Sequence, residues 1–152
     1  MFAALVGLAL VASSADAKEK ELSESGKKEL KALQGVWKAT KLVRGEVEEE
    51  NPKEGGNDVF IEFKDRTLLL NDKEFLTITG LDPSTDPKII DFKALIDRGP
   101  VSKDTVFEGI YKLDGDTLTL ALNIEGGTNR PAKFETGKDP KITIVTFARE
   151  KK

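Results

Sequence analysis

Histidine and cysteine are both absent from this 152-residue chain, and tryptophan, tyrosine and methionine occur once each. Without the first two, the ordinary ligands of zinc, copper and haem, the histidine-based catalytic triads and every thiolate nucleophile are missing together. Disulfides are excluded as well, so the fold rests on its core alone. No glycine-rich loop leads into a lysine and a helix, which rules out a phosphate cradle of the P-loop kind. Charge of neither sign dominates: 24 Lys and Arg stand against 27 Asp and Glu, a net charge of −3. That balance gives no electrostatic case for binding nucleic acid.

What is present begins with a segment unlike the rest. Residues 1–17 run apolar from Phe2 to Ala12, pass two serines and end in Ala15-Asp16-Ala17, the small-x-small pattern of a signal-peptidase site. The apolar run is too short for a permanent membrane span. We expect a signal peptide removed on export, although no Lys or Arg precedes the apolar run. Its removal takes away Asp16 and no basic residue, leaving a net charge of about −2. No cysteine follows the leader to carry a lipid, so the expected product has no stable membrane anchor and is exported, periplasmic or extracellular.

Lys18 to Lys31 is charged, with Ser25 as the expected cap of a short helix whose Leu30 and Leu33 share one side. Gly35 ends it, and Val36 to Val43 follows as a first strand with Trp37, Ala39 and Val43 on one face. Arg44 to Asp58, rich in glutamate and containing Gly55-Gly56, shows no apolar periodicity and predicts a long loop: a mobile acidic segment or a lid. Alternation then returns in Val59 to Phe63, Thr67 to Leu70, Phe75 to Leu81, Lys88 to Ala94, Thr105 to Asn123 and Ile142 to Arg149. Turn residues separate these runs, and Asp114-Gly115 marks a tight hairpin. With consecutive short connections, the pattern predicts an all-β fold: a single up-and-down antiparallel β-barrel of about eight strands with a short N-terminal helix.

Carboxylates are the reactive groups left in number. Asp114 and Asp116 flank a turn glycine but lack the further acidic ligands a calcium loop needs. Asp82 and Asp86 frame prolines, where short polar side chains bond to backbone, and neither they nor Asp91 point to a hydrolase. No catalytic residue, metal or cofactor is expected, and an enzyme is not the expected function. Trp37 reads as a ligand wall or as a plug at the closed end of the barrel, and its place after Gly35 favours the plug. The inward apolar sets name the candidate interior: Val59, Ile61, Phe63, Ile90, Phe92, Tyr111, Leu118, Leu120 and Leu122. Two functions stay open. The interior holds a small hydrophobic molecule, or it is filled and the domain serves a structural or protein-interaction role with an unknown protein partner.

Gly35-Val36-Trp37 after a short helix, with Arg149 on the last strand, resembles the lipocalin arrangement of a Gly-x-Trp signature and a late arginine. With Asp86-Pro87-Lys88-Ile89-Ile90-Asp91, the run from Gly109 to Leu118 and Arg130-Pro131-Ala132-Lys133-Phe134, the chain resembles a lipocalin-like domain family abundant in planctomycete bacteria. The resemblance covers about residues 30–150 and implies the fold and export, so that the chain divides into the signal peptide over 1–17, the charged segment over 18–29 and the barrel over 30–150. It further implies that Arg149 stacks on Trp37, and it carries no established reaction or ligand.

Overall fold

The computed structural model describes residues 21–124, 129–137 and 141–150. The expected leader over residues 1–17 lies outside them. Among the described residues one helix, α1 (Glu24–Leu33), precedes eleven strands. Its N-cap is Ser23, whose hydroxyl accepts from the Gly26 amide at 3.0 Å, and not Ser25. Ser23 lies one residue before the helix, where a short hydroxyl reaches a free amide of the first turn; Ser25 already lies inside that turn and touches the Ser23 hydroxyl.

Eight strands close an antiparallel barrel: β1 (Gly35–Arg44), β5 (Phe60–Lys64), β6 (Thr67–Leu70), β7 (Lys73–Asp82), β8 (Lys88–Ala94), β9 (Val106–Asp114), β10 (Thr117–Asn123) and β11 (Ile142–Arg149). Each pairs with its neighbour in sequence, and β11 returns to pair with β1, so the ring of eight has no free edge. The connections are tight where left-handed residues allow it. Asn71 and Asp72, at φ 48° and 72°, turn β6 into β7, and Gly115, at φ 62°, takes the first position of the two-residue link between Asp114 and Thr117.

The stretch 44–58 is not the structureless loop that its composition suggests. It holds β2 (Val47–Glu50), β3 (Lys53–Glu54) and β4 (Asn57–Asp58). β2 pairs with the last four residues of β1, beyond the four that pair with β5, and β3 and β4 form a small hairpin turned by Gly55 and Gly56 at positive φ. All four residues of β2 are exposed. A strand with neither face covered needs no apolar alternation, so its ladder left no mark in the sequence.

A second correction concerns β1. Between Ala39 and Lys41 the register with β11 shifts by one residue, a β-bulge. Because side chains alternate with period two, one extra residue flips everything beyond it to the other face. Trp37 and Ala39 point inward as expected; past the bulge Leu42 and Arg44 share the inner side opposite Val145 and Thr143, and Val43 does not.

Helix α1 lies over the end of the barrel where β1 begins. Leu33 is fully buried there, and the indole Nε1 of Trp37 donates to the Leu33 carbonyl at 2.9 Å. The Arg149 guanidinium stands 4.2 Å from the Trp37 ring centroid, donates to the carbonyls of Ala32 (2.9 Å) and Gln34 (3.2 Å) and reaches Asp116 at 3.0 Å. One side chain thus ties the last strand to the tryptophan, to the free carbonyls of the helix C-terminus and to the β9–β10 turn. No helix among the described residues is long and apolar enough to cross a membrane.

Candidate functional site

The barrel interior divides in two. From the helix-covered end to the middle its large side chains are buried: Trp37, Phe63, Ile90, Phe92, Tyr111 and Leu118 are each at most 1% exposed, although Tyr111 also borders a separate pocket of about 460 Å³ beside Lys88 and Phe134. At the opposite end, where β1, β7, β9 and β11 have their Arg44, Lys73, Val106 and Ile142 termini, side chains do not meet across the axis. A cavity of about 490 Å³ opens there, lined by Leu42, Arg44, Leu70, Phe75, Val101, Phe107, Leu122, Ile124, Thr143 and Val145, with Glu54 and Arg98 on its lip. A smaller chamber of about 140 Å³ continues inward past Leu122 and Val145 to Ile61, Leu68, Leu120 and Phe147. Apart from the Thr143 hydroxyl, that chamber is walled by hydrocarbon and aromatic side chains.

The nine residues expected to line a ligand space therefore separate. Ile61, Leu120 and Leu122 border the cavity. Phe63, Ile90, Phe92 and Leu118 belong to the buried core, each at most 1% exposed, and line neither the cavity nor the chamber. Val59 sits just ahead of β5, half-buried against the core, its carbonyl accepting from the Ala39 amide at 2.8 Å. Tyr111 lies toward the helix-covered end, where its hydroxyl is buried and has no hydrogen-bond partner among the described residues. Burial, and secondarily the Glu29 carboxylate nearby, holds this phenol well above its ordinary range, so it stays neutral. Glu29 itself pairs with Lys88 at 3.1 Å.

Two polar elements frame the mouth. Arg44, the last residue of β1, extends its Nε to the Thr143 hydroxyl at 3.3 Å. On the other lip, Glu54 of the β3–β4 hairpin accepts from Arg98 at 2.5 Å and from the Asn71 side-chain amide at 3.1 Å. Arg98 begins the Arg98-Gly99-Pro100-Val101 turn, its guanidinium 5.7 Å from the Phe75 ring centroid. The hairpin is stiffened by an ion pair between Lys53 and Asp58, whose carboxyl is held below its usual range first by the hydrogen bond from Lys53. So the acidic excursion out of β1 reaches across the mouth and is latched to the loop on the far side.

Two of the three carboxylates considered for catalysis, Asp82 and Asp91, are engaged elsewhere. Asp82 accepts from the Ser84 hydroxyl and amide at 2.6 and 2.9 Å, which lowers its pKa, and so serves its own turn. Asp91, on the outer face of β8, pairs with Arg130 at 2.7 Å; the same guanidinium donates to the Gly109 carbonyl at 2.8 Å and so pins the 129–137 segment to the barrel. Asp116 takes Arg149. Among the described residues no three acidic side chains cluster as metal ligands would.

Leu42, Arg44, Phe75, Ile124, Thr143 and Val145 were missed as lining residues. Thr143 and Val145 were legible, since they alternate with Phe147 on the last strand. Arg44 was not, because nothing in the composition announces the bulge that turns it inward. No protein-family model, curated protein or solved structure matches this chain.

Proposed function

We propose that the chain is an exported, non-catalytic binding module of the lipocalin-like kind that holds a small, largely apolar molecule in the open half of its barrel. The observation that supports this over a filled structural barrel is the cavity of about 490 Å³. It falls within the roughly 300–1,000 Å³ of small-molecule sites and continues into a smaller, largely apolar recess. A domain whose interior served only stability would fill that end as tightly as the other, since each void forfeits packing energy. The recess of about 140 Å³ is comparable to dry protein cavities that accept a single aromatic ring.

Binding of N-phenyl-1-naphthylamine, a neutral dye that fluoresces in apolar surroundings, tests the reading. Saturable binding by the folded protein, abolished when Val145→Phe fills the shared wall of cavity and recess while the thermal transition persists, is the expected result. A folded protein that binds no such probe returns the barrel to the interaction-domain reading. Export is tested separately: mass spectrometry of the protein recovered from its native host should find residues 1–17 removed.

A further inference from the structure

We infer that the occupant of this cavity is an amphipathic molecule with a single negative charge, its apolar part in the recess and its anionic group on the Arg44 guanidinium. The inference rests on the binding-module reading and adds the ligand's charge. Its first support is the bulge in β1. A regular strand would send Val43 inward and Arg44 to solvent; the extra residue between Ala39 and Lys41 reverses them and places a cation on the cavity wall. Bulges re-aim side chains in this way beside binding sites.

The second support is the charge balance at the mouth. Among the described residues Arg44, Arg98 and Glu54 are the charged groups lining the cavity. Glu54 is spent on Arg98 and Asn71. Arg44 donates through Nε to the neutral Thr143 hydroxyl, and no described carboxylate forms an ion pair with it. Among the described residues one positive charge is left over, its terminal nitrogens set in the planar fork that matches a carboxylate, sulfonate or phosphate.

Arg44 is exposed at the rim, so a neutral guest leaves most of its hydration in place and gains nothing from its charge. An anionic guest supplies a counter-charge beside the apolar wall, so the arginine favours acids over neutral molecules of the same shape.

Two dyes that share the phenyl-naphthylamine skeleton separate these contributions: 1-anilinonaphthalene-8-sulfonate, which is anionic, and neutral N-phenyl-1-naphthylamine. The purified protein should bind the sulfonate about tenfold more tightly, and Arg44→Gln should bring the two affinities to within about twofold without weakening the neutral dye. Arg44→Lys, which keeps the charge and loses the fork, should retain part of the preference, and high salt should shrink it in the unaltered protein. Should Arg44→Gln not fold, the dye ratio in the unaltered protein and its salt dependence still decide. Equal affinities for the two dyes, or a sulfonate affinity that Arg44→Gln leaves unchanged, overturn the charge assignment and leave the binding module standing. Failure of both dyes removes the binding reading and this inference with it.

Discussion

Arg149→Ala should destabilise the barrel by an amount the contacts of that side chain allow to be worked out. The guanidinium over the Trp37 ring, at 4.2 Å and with the arginine side chain 27% exposed, is worth about 1 kcal/mol. Its bonds to the Ala32 and Gln34 carbonyls carry about 1 kcal/mol each, at the lower end for a charged donor because water replaces it in part. The Asp116 pair, half exposed on the acid, adds about 0–1 kcal/mol. The total is about 3–4 kcal/mol, or a Tm lowered by roughly 9–12 °C in a domain of this size. Urea unfolding followed by Trp37 fluorescence measures it, with an unchanged m-value showing that two-state behaviour persists. Arg149→Lys should recover less than half of the loss, because an ammonium cannot stack on the indole and reach two carbonyls together. A loss under about 0.5 kcal/mol for Arg149→Ala, or full rescue by lysine, refutes the claim that the planar fork holds helix, tryptophan and last strand as one unit.

Three further outcomes follow from the same geometry. Gly109→Ala should destabilise by about 1–3 kcal/mol in denaturant titration, since a methyl there would meet Leu122 Cδ2 at 2.2 Å and the Ala121 carbonyl at 2.8 Å; a Tm equal to that of the parent would show that β9 and β10 slide apart freely. Glu54→Ala removes the acceptor shared by Arg98 and Asn71, so stopped-flow release of bound dye should quicken several-fold while Tm barely moves, and an unaltered release rate would deny the β3–β4 hairpin any role as a latch. The Asp58 carboxyl titrates below its ordinary value, so its contribution to the β3–β4 hairpin is complete above about pH 4 and lost as pH falls through the depressed folded value; Lys53→Met should shift the NMR titration of Asp58 upward.

The barrel was readable wherever strands keep strict period two between turn residues. Thr67–Leu70, Lys88–Ala94 and Ile142–Arg149 stand in the structure with the bounds their alternation indicates. Their inward residues turn to the barrel interior and most of their outward ones to the surface, so composition records geometry directly. It records nothing where that asymmetry is missing. β2 has two exposed faces and was invisible, and the bulges after Ala39, Leu68 and Ile78 insert a residue without changing composition. The site suffered most from this, because its lining was inferred by extending alternation along each strand. That works for Leu118, Leu120 and Leu122 on the unbulged β10 and fails on β1, where the flip exchanged Val43 for Arg44. Nor does an apolar inward residue reveal whether it touches a neighbour or a void. Phe92 and Leu122 read alike in the sequence, yet one is buried among side chains and the other borders open space.

The pairing of β1 with β11 also sets an order of events for the newly made chain. Trp37 meets Arg149 across more than a hundred residues, so the seam can zip only after the whole domain has emerged. Until then β1 and β10 each present an unpaired edge, and Trp37 lacks the side chain that covers it. Folding dominated by such distant pairings runs on the millisecond-to-second scale, slow beside the formation of hairpins such as β9–β10. A chain cut short before Ile142 would retain every turn and still be an open sheet, prone to recruit the edge of another copy in place of its own missing strand.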